Sequence, residues 1–288
     1  MTVATERKEA RTLKRWNQLT DFIRILCWTA HASNGRPQSI VMLSEPGSGK
    51  TELLERFRPN PHLAFYSDAT YRTGLSVLGE ASRGMKKTHL VITEFQKVIA
   101  RRKAVSDNTL AIVLQAMEEG VHRVGFGPHD KDFHGARLGL FAATTLTSLH
   151  KNPFMVLDLA MDSRAFFVDA RGTRDELMEI ERRIAEGDAR ALSPIVLKGL
   201  PEKPLKVEIP KAHATTIRGW VREMESQKVK VYGLRTFGRF LHTLRGVVLK
   251  EGRDVARKVD VEELYSFKKL WLDAPPMPEE SEHPNQQG

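Results

Sequence analysis

Ser44-Glu45-Pro46-Gly47-Ser48-Gly49-Lys50-Thr51 follows directly on the apolar run Ile40-Val41-Met42-Leu43. A strand that ends in a tight glycine-bearing turn and continues through Lys-Thr into a helix is the layout of a phosphate-binding loop. In such a loop, successive backbone N–H groups and the start of the helix face phosphate oxygens. Lys50 would place a point charge on the outer phosphates, and Thr51 would offer its hydroxyl to Mg²⁺. The segment Ser44 to Glu52, with Glu45, Pro46, Gly47, Ser48 and Gly49 between, is therefore the expected binding segment for a nucleotide such as ATP. Ser44 stands where the strict pattern has glycine, while Gly47, Gly49, Lys50 and Thr51 are all in place. The plain alternative is a glycine-rich turn capping a helix, with Lys50 in solvent.

Around this loop the pattern alternates between strands and helices, which predicts a three-layer α/β domain over residues 38–170. Leu63 to Tyr66 and Leu90 to Ile92 read as strands, and Phe154 to Leu159 and Ala165 to Val168 add apolar segments near the end of this domain. Gly74 to Gly79 reads as an irregular or helical insertion. Asp107 and Asn108 are expected to cap a helix that buries Leu110, Val113, Leu114 and Met117. Val121 to Phe126 and Arg137 to Ala143 flank a polar stretch, Gly127 to Gly135, which predicts a hairpin-like excursion.

The flanks differ in character. Residues 1–37 carry an amphipathic helical segment with Leu13, Trp16, Leu19, Phe22, Ile23 and Leu26 on its apolar face. Residues 171–210 hold a charged helix and then four prolines between Pro194 and Pro210, which predicts an extended linker. Three further helices are expected over 211–273, as a bundle lying over the nucleotide domain like a lid. The proline-rich stretch 274–288 is expected to be a disordered tail.

Composition bounds the possible partners. The 288 residues carry a formal charge of +9, which favours an anionic partner, nucleic acid foremost. Apolar runs fall far short of a membrane span, and the charged start Thr5 to Arg11 does not resemble a secretory leader. One cysteine, Cys27, precludes an intrachain disulfide and fits a cytoplasmic, reducing setting. His122, His129 and His134 match no metal-binding spacing.

Beside the loop, Val91-Ile92-Thr93-Glu94, Gly74-Leu75-Ser76, Gln115 to Gly120, Met161 to Phe166 and Leu234-Arg235-Thr236-Phe237 occur in one order. In that order the chain resembles the AAA+ ATPases, especially the branch of minichromosome-maintenance helicases and MoxR-type ATPases, over residues 38–272. The resemblance implies a P-loop nucleotide-binding core followed by an α-helical lid. It also implies ATP and Mg²⁺ as ligands, and self-association into a ring or hexamer. Glu94 would orient and deprotonate the attacking water, unless it is only a solvated strand-end carboxylate. Thr93 occupies a position where the family usually has Asp beside the metal, so slow hydrolysis, or a nucleotide switch without it, follows as an alternative. Asp68 is a candidate helper.

Thr144, or its neighbour Thr145, matches the first sensor. Arg164 matches the arginine finger that one subunit offers to the next; otherwise it pairs with Asp162 or Asp169. Arg235, four residues before Arg239 on one helix face, matches the second sensor. Lys131 falls near the tip of the expected excursion, where the family's hairpin touches DNA. The implied function is an ATP-driven motor or loader in DNA replication or remodelling. The alternatives are a MoxR-like remodeler of protein complexes and a nucleotide-gated assembly module with little turnover.

Overall fold

A computed structural model of the chain describes residues 14–84, 87–126, 129–151, 161–187, 193–226 and 233–271. Its centre is a five-stranded sheet built from β1 (Ser39–Leu43), β2 (Leu63–Tyr66), β3 (His89–Ile92), β6 (Gly139–Thr144) and β7 (Ala165–Asp169). The strands lie in the order β2-β3-β6-β1-β7, and every pair is parallel. Parallel strands covered on both faces should read as continuous apolar runs rather than alternating ones. Residues 39–43, 89–92 and 139–144 are buried throughout, as that rule requires.

Alternate side chains of the central strands supply two separate cores. Val41, Leu43, Leu140, Ala142 and Phe167 face α3 (Tyr71–Ala81), α4 (Phe95–Ile99) and α5 (Lys103–Glu118). Ile40, Met42, Phe141, Ala143, Phe166 and Val168 face α1 (Lys14–Thr29) and helices from the far end of the chain. These are α8 (Lys211–Ser226), α9 (Leu234–Lys250) and α10 (Lys258–Ser266). The chain is thus a three-layer α/β structure whose two ends share one core. An aromatic cluster joins them: Phe22 meets Phe166 edge-on at 5.3 Å, and Trp271 stacks on both Phe166 and Phe240 at 5.4 and 4.8 Å.

The α1–α9 contact is unusually close. A Cβ on Gly246 would sit 2.6 Å from the Ile25 carbonyl oxygen and 2.8 Å from Thr29 Cγ2. Alanine is worth about 1 kcal/mol more than glycine in a helix interior, but forcing the helices apart costs typically 1–3 kcal/mol. Gly246→Ala is therefore expected to lower stability by up to about 2 kcal/mol, read as an earlier midpoint in urea denaturation with an unchanged slope.

Several elements differ from expectation in detail. α5 begins at Lys103 after Arg102, so Asp107 and Asn108 lie inside it rather than at its cap. Ser106, Thr109 and Leu110 are buried, and that packing outweighs the capping preference of the acid and amide. Within the expected polar loop, His129–Ala136 is itself a strand, β5, paired antiparallel with β4 (Val121–Phe126). Residues 139–144, expected to form the hairpin's return, join the main sheet instead. Phe133 is the fully buried anchor of β5, and one aromatic among charged residues gives too weak an alternation to read.

Gly74 and Gly79 lie inside regular helix α3, opened by a Thr70–Thr73 capping box. A Cβ on Gly74 would stand 3.1 Å from Ile112 of α5, so the glycine admits close packing there. After the short α6 (Leu146–Lys151), the charged helix forms as α7 (Arg174–Ala185). The described part of the proline-rich linker is extended and clamped by two amides. Asn60 bonds Ile195 and Leu197, and Asn34 bonds both backbone groups of Val207. The apolar segment Phe154 to Leu159 and the expected tail 274–288 lie outside the described residues. Among the described residues no helix is long and apolar enough to cross a membrane.

Candidate functional site

Strand β1 sits between β6 and β7, while the chain leaving it crosses to the far edge as β2. Ligands of open α/β sheets bind outside the carboxyl ends of strands where the strand order reverses in this way. Residues 44–51 occupy that position. Gly47 and Gly49 adopt φ of 76° and 78°, the left-handed region that glycine enters without penalty. Gly49 is also pressed against the N-terminal helix, since a Cβ there would stand 2.6 Å from the Trp16 ring. Trp16 therefore sets the floor of the loop, a role that sequence spacing alone did not reveal.

Lys50 opens α2 (Lys50–Glu55) and is 9% exposed. Its ammonium donates to Ser44 Oγ and Glu45 O at 2.8 Å, to Ser48 Oγ at 3.1 Å and to Ser44 O at 3.2 Å. Ser44 and Ser48 are joined by a hydrogen bond between their hydroxyls. The serine that departs from the glycine pattern is thus part of the cradle around the lysine. Burial lowers the Lys50 pKa from its ordinary value, with the Glu45 carboxylate working the other way. A buried ammonium held only by neutral oxygens is poised to exchange them for an anion.

The neighbouring strand ends complete the row. Thr51 Oγ1 donates to the Thr93 carbonyl oxygen at 3.4 Å, tying β1's loop to the end of β3. Glu94 follows as the residue that opens α4, and its carboxylate pairs with Lys97 at 2.6 Å with about a third of the side chain exposed. Between β1 and β3 lies β6, whose last residue, Thr144, is level with Leu43. Thr144 is fully buried, and its hydroxyl has no hydrogen-bond partner among the described residues. Thr145 is engaged otherwise, accepting from the Ser148 N–H at 3.1 Å and donating to its hydroxyl at 2.9 Å. Of the two threonines, only Thr144 holds an unused polar group at this edge. Asp68 is occupied by an ion pair with Arg101. No protein-family model matches this chain, and no curated protein sequence does.

The arginines form a second group, at the opposite end of the sheet. Arg164 immediately precedes β7, whose first residue is level with Ser39, whereas the loop begins after Leu43. Five residues at about 3.3 Å each separate the two edges by roughly 16 Å. Arg164 pairs inside its own chain with Glu118 at 2.8 Å, an acid not among those expected. Asp169 is held by Arg15 and Arg171, which keep its pKa low against the opposing effect of burial.

Arg235 joins the same carboxylate at 2.8 Å and donates to Ser163 Oγ at 3.1 Å. Arg239, on the same face of α9, donates to the carbonyls of Asp162 and Ala165 and lies over the Phe166 ring at 4.9 Å. Arg235 is thus grouped with Arg164, away from its own chain's loop. Lys131 lies on β5 opposite Val124, with its ammonium 5.4 Å from the Phe133 ring centre and beside Gly79 of α3.

Proposed function

We propose that this chain is an ATP-binding and ATP-hydrolysing subunit of an AAA+-type assembly, with an α-helical lid formed by its C-terminal helices. The observation that carries the reading is the Lys50 cradle at the carboxyl end of β1, with the unpartnered Thr144 hydroxyl one strand away. Lys50 would leave Ser44, Glu45 and Ser48 for the outer phosphates, and Gly47 to Gly49 would present backbone N–H groups. Thr144 would donate its hydroxyl to the terminal phosphate or to the attacking water. Glu94 would release Lys97 and accept that water's proton.

The residues present suit Mg²⁺, which keeps several waters and leans on substrate phosphates rather than on a full protein cage. Thr51 would supply a direct oxygen and Thr93 a neutral neighbour. When bound, the ion neutralises charge on the outer phosphates.

The separation of the two edges supports action between subunits. Arg164 and Arg235 lie too far from the loop of their own chain, so they would serve the nucleotide of a second copy in a ring. An arginine fork there would offset charge developing on the transferred phosphoryl group. DNA is the substrate favoured by the +9 charge and by Lys131, although Asp130, beside that lysine, is paired with Arg123. A MoxR-like role on protein complexes would use the same site. The nucleotide-gated module with little turnover draws on one observation: Thr93 supplies only neutral oxygens beside Thr51.

Glu94→Gln is expected to slow hydrolysis by 10²-fold or more, about the span of one positioned base, while ATP binding by calorimetry persists. Phosphate release measured with and without single-stranded and duplex DNA, alongside molecular mass, tests substrate and assembly together. Mixing Glu94→Gln with Arg164→Ala subunits should restore part of the lost activity. Mixed assemblies without recovery would refute the intersubunit role.

A further inference from the structure

One carboxylate controls both arginines at the far edge. Glu118 ends α5, and its side chain is 17% exposed. One of its oxygens lies 2.8 Å from Arg164 Nε, and the other lies 2.8 Å from Arg235 Nε. The two guanidiniums come from distant parts of the sequence, one before β7 and one in the first turn of α9. Both reach the same acid, and Arg235 also bonds Ser163, the residue before Arg164.

Glu118 lines a cavity of about 260 Å³ whose wall also includes Arg36, Ser163, Arg164, Arg235 and Arg239. It is the one acidic residue among the described residues lining it. The field there is strongly positive: His242, in the same wall, is held neutral, its pKa lowered to about 3 by burial and by Arg245, Arg36 and Arg137. Two guanidiniums side by side in such a field repel each other. A shared carboxylate, at ion-pair distance from each Nε, offsets that repulsion and ties both cations to one anion.

We propose that Glu118 is a positioning residue that holds Arg164 and Arg235 as one unit aimed at the nucleotide of a second copy. This rests on the functional reading above, and it adds a residue that neither touches phosphate nor belongs to the loop. Because guanidinium placement governs the chemical step, an arginine displaced by about 1 Å is expected to cost on the order of 10²-fold in rate. Nucleotide affinity, set at the other end of the sheet by Lys50, is expected to stay within about twofold.

The test uses the full chain with Glu118→Ala and Glu118→Gln. The expected result is a fall in kcat with unchanged ATP affinity by calorimetry, larger for alanine than for glutamine, which keeps one acceptor oxygen. Subunit mixing then separates positioning from general damage. Glu118→Ala mixed with Glu94→Gln should recover activity, since intact loops meet intact arginines at their junctions. Glu118→Ala mixed with Arg164→Ala should recover none, since both are impaired on the same edge.

Recovery in the second mixture, or none in the first despite mixed assembly, would overturn the assignment. So would a rise in kcat for Glu118→Ala, which would make the carboxylate a restraint on the arginines rather than their support. If Glu118→Ala folds poorly, the kcat and affinity of Glu118→Gln decide the question alone. A wild-type chain that fails to bind or turn over ATP removes the functional reading and this assignment together. Normal wild-type turnover, lost in Arg164→Ala but kept in both Glu118 variants, removes this assignment only.

Discussion

Lys50→Ala is expected to weaken ATP binding by 10²- to 10⁴-fold and to abolish measurable turnover. The magnitude follows from what the ammonium does in each state. Without ligand it satisfies oxygens of Ser44, Glu45 and Ser48 at 2.8–3.2 Å. With a triphosphate it would exchange those neutral acceptors for charged ones, and each hydrogen bond to a charged group is worth about 1.5–3 kcal/mol. Two such bonds give about 3–6 kcal/mol, hence the range stated. Alanine also removes the donor that the cradle oxygens share, leaving only the serine hydroxyls to bridge them, which loosens the loop around Gly47 and Gly49. Isothermal titration with ATP or ADP and magnesium, on protein checked by its thermal midpoint, reads the effect. Affinity equal to that of the wild type would mean that the loop is not the nucleotide site.

What the sequence made legible follows from how local each signal is. The loop, its strand and its helix were readable because glycine, lysine and threonine act there through backbone geometry within a few residues. Strands β2, β3 and β7 were readable as short apolar runs, since burial on both faces removes alternation. Thr144 was legible only as one of two adjacent threonines. Their roles separate through tertiary position, where Thr145 bonds Ser148 and Thr144 faces inward.

The partner of Arg164 was not legible, because Glu118 lies far away in sequence and the expected acids Asp162 and Asp169 were merely near. Trp16 under Gly49 escaped notice for a similar reason: on its helix it reads as one more apolar residue among many. The start of α5 and the return strand of the hairpin were misjudged where tertiary burial overrode local propensity. Phe133 and Ser106 carry that override.

A second large effect is expected with pH, and it is independent of any nucleotide. His31 and His89 are buried at 1% and 0% exposure, and His242 lies in the wall of the arginine-lined cavity. Burial lowers the pKa of His31 to about 4, helped by His62, and that of His89 to about 3, helped by His31 and His62. His242 is lowered to about 3 by burial and the nearby arginines. Unfolded, each returns to about 6.5 and takes up a proton more readily than the native state. Between pH 6.5 and the folded values, the unfolded chain therefore binds more protons, and stability rises with pH.

The contribution is complete above about pH 6.5 and is lost progressively as pH falls toward 4 and then 3. Each pH unit across that window is worth about 1.4 kcal/mol per histidine, against a net stability of about 5–15 kcal/mol for a typical domain. Cooperative unfolding is accordingly expected between about pH 4 and 6, well before the Asp169 carboxylate, held low by Arg15 and Arg171, would titrate. Thermal midpoints measured from pH 8 to pH 4.5 should fall steeply below 6.5. His89 stacks on Phe141 at 4.4 Å, so His89→Leu keeps an apolar filler while removing one titrating group. That variant should give a shallower fall. A wild-type profile flat down to pH 4.5 would show that these imidazoles reach water in the native protein.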